Sequence, residues 1–344
     1  MPFYKCSKCE RIWQYPLSEC PFCNIELKKM ASGQNKVIAV SKVFIPTIKH
    51  PIVPYFACVV EDENKNKWAH KTVEEVKEGD KLVFESNADR NAVGIWRIKY
   101  DYADAIEKAL ELIGGIDLNE NSKILILPTL ISANQPYFRE NTSPEFLTSV
   151  LSFLFSKKIK LENIKIATQS FTELSVEAMA SRSGLLDVCL KNKITPIDLS
   201  KSNFVKQGNL EIVEEIVGAD IVLNLGMLKA GNVAATENVF RVLKKENYLG
   251  LKYLNSEKDI AKELEKALPN LVSLGEAEYI QTSDGFIAFL GIILASRNFI
   301  NLDRVLNEIV SQKELPEIIA QINLEEIPIA GRAIKEIKLN INKI

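Results

Sequence analysis

The strongest constraint on this chain lies near its start, where Cys6 and Cys9 stand two residues apart and Cys20 and Cys23 repeat the spacing. Each Cys-x-x-Cys presents two sulfurs from one tight turn, and four thiolates at about 2.3 Å complete a tetrahedral shell. The pattern predicts a zinc ribbon with Cys6, Cys9, Cys20 and Cys23 as ligands. Sulfur fills all four positions and none is left for water, so the expected zinc is structural rather than catalytic. Disulfide pairing in a secreted chain is the competing reading. It is disfavoured because no leader-like apolar segment precedes Cys6 and the chain holds only six cysteines in 344 residues.

That length exceeds one ordinary domain and predicts two or three. Apolar residues make up 47%, enough for sizeable cores, and 43 basic against 45 acidic residues leave a net charge of -2. This balance gives no global electrostatic case for nucleic acid. The apolar run Ile287 to Ala295 is far short of the roughly 20 residues a bilayer helix needs, so a soluble, cytoplasmic protein with no membrane partner is expected. Cys58 and Cys189 have apolar neighbours and read as buried, inert thiols. Only His50 and His70 are available for a Ser-His or Cys-His pair, and neither sits in such a motif. With two cysteines outside the ribbon, no iron-sulfur cluster is expected.

Beyond the ribbon (1–32), strand-like runs alternate with turn residues: Val37 to Ile45, Tyr55 to Glu61, Lys67 to Thr72, Lys81 to Glu85 and Val93 to Lys99. Five short strands with a turn at Lys77 to Asp80 predict a small OB-like β-barrel over 33–100. Phe44, Tyr55, Phe56, Trp68, Phe84 and Trp96 would fill such a barrel, or else stack on bases. From Asp101 the pattern becomes α/β. Ala105, Ile106, Ala109, Leu110 and Ile113 recur at helical spacing, and Gly114 and Gly115 end the helix. Ile124 to Leu127 reads as a buried parallel strand, and Thr142-Ser143-Pro144-Glu145 as a capped helix start leading into Phe146 to Phe155.

Strands are expected at Ile164 to Thr168, Ile194 to Leu199, Asp220 to Leu225, Leu271 to Thr282 and Ile287 to Ala295. Helices are expected at Glu173 to Ser183, then to about Lys193, near Thr236 to Lys245, and at Glu257 to Leu268 and Leu302 to Gln312. The sum over 101–344 is an open, mostly parallel α/β sheet with helices on both faces.

The order Cys6, Cys9, Tyr15-Pro16, Cys20-Pro21-Phe22-Cys23, Gly33, Pro54-Tyr55, Glu78-Gly79-Asp80 resembles that of the zinc-ribbon plus OB-fold proteins of the "domain of unknown function 35" family. The resemblance implies a scaffold or an acyl-CoA carrier. In it the ribbon docks on a partner, a thiolase-superfamily enzyme, and the OB domain holds a coenzyme A thioester. Residues 122 to 312 resemble the "domain of unknown function 362" family in Thr142-Ser143-Pro144, Ala219-Asp220, Asn224, Lys229, Leu294-Ala295-Ser296 and Leu302-Asp303. They depart from it at Leu127-Pro128-Thr129, where the family has Lys-Pro-Asn, and at Gly231, where a histidine usually follows the lysine. The departures imply a degenerate copy.

In open α/β sheets ligands bind beyond the carboxyl ends of the strands, which directs attention to Asn134, Ser170, Asn224, Lys229 and Asn232 as candidate ligand-binding residues. Lys229, between Gly226 and Gly231, could receive a phosphate or carboxylate. The plainer alternative makes Lys229 a solvated loop residue and Asn224 a partner for backbone groups at a strand end. Thr282-Ser283-Asp284-Gly285 reads as a tight hairpin. Glu276 with Glu278 shares one strand face and Glu173 with Glu177 one helix face, and both pairs are expected to be solvated rather than catalytic. Three functions remain open at this point: a zinc-binding scaffold or thioester-carrier protein, an enzyme acting on a phosphorylated or carboxylated small molecule, and a nucleic-acid binder through ribbon and barrel.

Overall fold

The computed structural model describes residues 3–15, 17–30, 32–47, 50, 52–82, 86–99, 101–282 and 285–339. Pro16, the end of the expected strand Lys81 to Glu85 with Phe84, and the turn residues Ser283 and Asp284 lie outside them. The chain divides into two compact units, 1–84 with 335–337, and 85–334 with 338–344.

In the first unit β1 (Phe3–Lys5), β2 (Ile12–Trp13) and β3 (Lys28–Met30) form an antiparallel sheet in the order β2-β1-β3, around the buried Cys6, Cys20 and Leu27. β4 (Asn35–Val43), β5 (Tyr55–Asp62) and β6 (Lys67–Thr72) form a second antiparallel sheet. Val37, Cys58, Val60 and Trp68 make its core. Alternation along β6 is clean: Trp68, His70 and Thr72 point in while Lys67 and Ala69 face solvent, the period of two expected of a sheet with one wet face. Phe44, expected among the fillers of a barrel, is 65% exposed. The fifth expected barrel strand belongs elsewhere. β7 (Val93–Arg97) pairs with strands of the second unit, and its Val-Gly-Ile-Trp run is buried throughout, as an internal strand covered on both faces requires.

The second unit is an eight-stranded sheet in the order β10-β9-β8-β13-β14-β15-β7-β16. Its strands are β7, β8 (Ile124–Pro128), β9 (Ile164–Thr168), β10 (Ile197–Asp198), β13 (Ile221–Lys229), β14 (Leu271–Gln281), β15 (Ile287–Ser296) and β16 (Ile329–Gly331); β11 (Phe204–Gln207) and β12 (Leu210–Val213) form a separate hairpin. Pairing is parallel from β10 to β14 and between β7 and β16, and antiparallel at β14-β15 and β15-β7. The helices are α1 (Tyr102–Leu112), α2 (Pro144–Ser156), α3 (Val176–Arg182), α4 (Leu185–Lys191), α5 (Glu214–Val217), α6 (Ala234–Phe240), α7 (Lys245–Leu254), α8 (Glu257–Ala267) and α9 (Phe299–Ile309), with a further short one, α10 (Glu317–Ala320).

Leu223, Leu225, Val272 and Leu274 alternate onto the sheet face covered by α1 and α2, where Ile106, Leu110, Phe146 and Leu151 join one core. The intervening residues face α6 and α9. A Cβ on Gly226 would lie 3.3 Å from Ala235, and one on Gly275 would lie 3.2 Å from Leu302 Cδ2. Helices thus cover both faces, and the fold is α/β with a mixed, mostly parallel sheet. Several boundaries differ from the periodicity: the helix expected near Thr236 to Lys245 ends at Phe240, and the strand expected to end at Leu225 runs on to Lys229. The strand expected over Ile194 to Leu199 shrinks to Ile197–Asp198 at the sheet edge. α3 begins only after Ser175, which caps it, and α9 begins at Phe299 because the Asn298 side chain accepts from the N–H groups of Ile300 and Asn301.

Candidate functional sites

Two sites emerge, one in each unit. In the first, the Sγ atoms of Cys6, Cys9, Cys20 and Cys23 all lie within 4.8 Å of one another. Cys9 Sγ and Cys20 Sγ are 3.7 Å apart. This is far beyond a disulfide bond and close to the edge, about 3.8 Å, of a tetrahedron with metal-sulfur bonds of about 2.3 Å. The N–H groups of Lys8 and Cys9 both donate to Cys6 Sγ at 3.4 Å. Such bonds stabilise a thiolate and hold the knuckle in shape, as partners behind a ligand do. Cys20 is tied to its own turn, the N–H groups of Cys23 and Asn24 donating to its carbonyl. The four cysteines are positioned to bind a metal ion, and the donor set leaves no place for a substrate.

The second site lies at the carboxyl edge of the parallel strands. It is built by the loop between β8 and α2, which hydroxyl groups fasten to β13. Thr129 Oγ1 and Thr142 Oγ1 donate to the Leu225 carbonyl at 2.9 and 3.0 Å, and Thr142 Oγ1 accepts from Thr129 N–H at 2.8 Å. Ser143 caps α2, its side chain accepting from Phe146 N–H, and Pro144 occupies the first turn, where its missing N–H costs nothing. The local sequence therefore fixes where α2 begins, and that start points at β14.

There stands Glu276. It is 1% exposed, the opposite of the solvated position expected for it. Ser143 N–H donates to its Oε2 at 3.0 Å, Tyr102 Oη lies 3.0 Å from its Oε1, and Arg139 Nη1 lies 3.6 Å from the same oxygen. Tyr102 Oη also lies 2.7 Å from Glu278 Oε2. The register of β14 against β15 shifts between Ala277 and Tyr279, and a bulge there aims neighbouring side chains away from strict alternation. Arg139 has a left-handed backbone (φ 53°) and its guanidinium sits 4.9 Å from the centre of the Tyr279 ring. Burial pushes Glu276 above the usual carboxylate range, against the pull of Ser143, Tyr102 and Arg139. Burial, with Glu276 and Glu278 beside it, also raises the Tyr102 phenol, which stays protonated at ordinary pH.

The residues singled out by sequence distribute unevenly around this edge. Lys229 ends β13 half-buried, and burial holds it below its ordinary value while the charges of Glu140 and Glu237 oppose that shift. Glu140 accepts from Asn134 Nδ2 at 2.7 Å, so Asn134, Glu140 and Lys229 share one neighbourhood beside Arg139. Burial would raise Glu140, but bonds from Ser132 and Asn134 and the Lys229 charge bring it below its ordinary value. Asn224 is fully buried. Its Nδ2 donates to the Ala235 carbonyl at 3.0 Å and to Ser273 Oγ at 2.8 Å, and its Oδ1 accepts from Asn238 Nδ2 at 2.8 Å. Ser170 closes on Thr172 Oγ1 at 2.9 Å within its own loop.

Asn232 follows Gly231, whose φ of 73° makes the turn after β13, and lines a cleft of about 490 Å³ with Glu237, Glu257, Gln312, Glu314 and Glu317. Four glutamates against the single Lys258 make a lining that disfavours an anion. Neither Tyr102 nor Arg139 stood out in the sequence. The signals available for this site were the i, i+2 glutamates of β14 and the capped start of α2.

Among the described residues no helix is long and apolar enough to cross a membrane. No protein-family model matches the chain, and no curated protein matches it.

Proposed function

We propose that this is an enzyme whose α/β unit takes a small carboxylated or phosphorylated molecule at the carboxyl edge of its sheet, and whose N-terminal unit is held together by structural zinc. One observation carries the reading: a fully buried glutamate, Glu276, is joined through Tyr102 to the half-buried Glu278 at the edge where parallel α/β sheets bind ligands. Buried carboxylates of shifted affinity for protons cluster at functional sites. Arg139 and Lys229 supply the positive charge for an anion, and Glu278 and Tyr102 the acid-base groups. The resemblance to the "domain of unknown function 362" family in Thr142-Ser143-Pro144, Asn224 and Lys229 agrees with this location. A thermal-shift panel of small carboxylates and phosphate monoesters tests it. A ligand that raises the midpoint of the native protein and loses its effect in both Arg139→Ala and Lys229→Ala is the expected result; a ligand unaffected by either substitution would place binding elsewhere.

Zinc is the metal proposed for the cysteine site, because four thiolates in tetrahedral array suit it and offer it no redox or catalytic role. A second reading rests on the first unit, where Phe22, Phe44 and Ile45 are 67%, 65% and 77% exposed, and where Arg11 lies 4.0 Å from the Phe22 ring centre. These surfaces suit a scaffold that docks a partner enzyme or carries a coenzyme A thioester, as the resemblance to the "domain of unknown function 35" family implies. Calorimetric titration of the zinc-loaded chain with acetyl-CoA checks it, and no heat at millimolar ligand would remove it. Retention on single-stranded DNA that collapses with salt would instead favour nucleic acid.

A further inference from the structure

We infer that Glu276, Tyr102 and Glu278 hold one proton between two carboxylates at neutral pH and form an internal acid that serves the anion site proposed above. The argument is one of counting. Tyr102 Oη is within hydrogen-bond distance of Glu276 Oε1, at 3.0 Å, and of Glu278 Oε2, at 2.7 Å. A phenol has a single proton to donate, so it can serve only one of the two oxygens. The other contact is a hydrogen bond only if that carboxyl is protonated and donates to the phenol oxygen.

The geometry selects which. The shorter contact is to Glu278, so Tyr102 donates there. Glu276 then carries the proton on Oε1 and donates to Tyr102, while its Oε2, as a carbonyl, accepts the Ser143 N–H at 3.0 Å. Each polar atom named is satisfied in this arrangement. With both glutamates ionised, one carboxylate oxygen would face the phenol oxygen with no proton between them, inside a site where Glu276 is 1% exposed. The charged groups facing Glu276 are Arg139, 3.6 Å from Oε1, and Glu278 across the phenol. Arg139 favours the anion, whereas burial and the second carboxylate favour the acid, the usual outcome where two carboxylates share a site. Burial raises the affinity of Glu276 for its proton in the same direction.

The wiring gives the proton a route. Glu278, the half-buried end, gives a proton to a bound ligand only as it receives one from Tyr102, which receives the Glu276 proton in turn. The ligand gains one proton, Glu276 is left as a carboxylate beside Arg139, and solvent restores the start. The ligand class, a small carboxylate or phosphate ester, rests on the proposed function; the shared proton does not.

Infrared spectroscopy of the full chain, with and without labelled glutamate, tests the proton directly. The expected result at neutral pH is a protonated-carboxyl carbonyl band that disappears in Glu276→Gln. In Tyr102→Phe the band should move to the higher frequency of an acid that has lost its acceptor. Gln reproduces the neutral acid, its amide donating to Tyr102 and its oxygen accepting from Ser143, so Glu276→Gln should fold, with a midpoint equal to the native chain's below about pH 4 and above it at neutral pH, where the native chain must first take up its proton on folding. Absence of the band in the native protein, a band unchanged in Tyr102→Phe, or a Glu276→Gln chain that does not fold would each overturn the inference. A band present while no ligand binds would leave the shared proton standing and remove the binding reading; binding without the band would do the reverse.

Discussion

Replacing Asn224 with Ala separates a structural residue from a ligand-binding one. Asn224 is fully buried between β13, α6 and β14, and its amide satisfies the Ala235 carbonyl, Ser273 Oγ and Asn238 Nδ2 at 3.0, 2.8 and 2.8 Å. Ala leaves all three partners behind. Ser273 can turn its hydroxyl elsewhere, Asn238 keeps its bond to the Leu127 carbonyl at 2.9 Å, and the Ala235 carbonyl lies within α6, so none of the three is wholly stranded. At about 1 kcal/mol for each of the lost hydrogen bonds, with a small cavity included, the loss is about 3 kcal/mol. For a unit of this size that is a fall of about 6–12 °C in the melting midpoint. Urea unfolding followed by circular dichroism, with unchanged slope, reads it. A loss under about 1 kcal/mol would refute the reasoning, because it would mean that water enters and replaces the amide. A lost ligand response at full stability would instead return Asn224 to the binding residues.

The remaining predictions concern the metal, a proton and a turn. Cys20→Ser should release zinc, read by a chromogenic chelator, and unfold the first unit while the larger calorimetric transition persists, since structural zinc contributes about 10–16 kcal/mol in comparable sites. Glu276 binds its proton more tightly folded than unfolded, so its contribution is fully present below the ordinary glutamate value of about 4.3 and is lost as pH rises through the raised folded value. The stability of the native chain relative to Glu276→Gln should therefore fall as pH rises across that window, and a flat difference between pH 4 and 9 would contradict it. Gly331→Ala should cost well over the roughly 1 kcal/mol of an unfavourable backbone angle. At φ 87° its Cβ would lie 2.5 Å from the Ile95 carbonyl oxygen and 2.4 Å from Leu112 Cδ1, which would break the β16–β7 pairing. Equilibrium unfolding measures it.

What could be read from the residues alone was whatever depends on near neighbours in the chain. The Cys-x-x-Cys turns, the capped helix start at Thr142 to Glu145, the helical spacing of Ala105 to Ile113 and the apolar run of β8 are local signals, and each produced its element. The class of the sheet followed from their alternation. What depends on partners distant in sequence was not legible. Val93 to Lys99 has the composition of a strand but carries no mark of its neighbour, and only pairing with β15 and β16 took it out of the first unit.

Glu276 and Glu278 looked like a wet strand face because a carboxylate's burial is decided by what covers it. Here Tyr102 from α1 and the start of α2, 174 and 133 residues away in the chain, close over it. Lys229 was found from its place after a strand, but its neighbours Glu140 and Glu237 belong to a loop and a helix that only the fold brings near. The metal-binding quartet and the kind of sheet were legible from the residues, because a ligand spacing and a hydrophobic period are carried along the chain. Which glutamate is buried, and which groups lie against it, emerged only on folding, because desolvation and hydrogen bonding are properties of contacts made between segments distant in the chain.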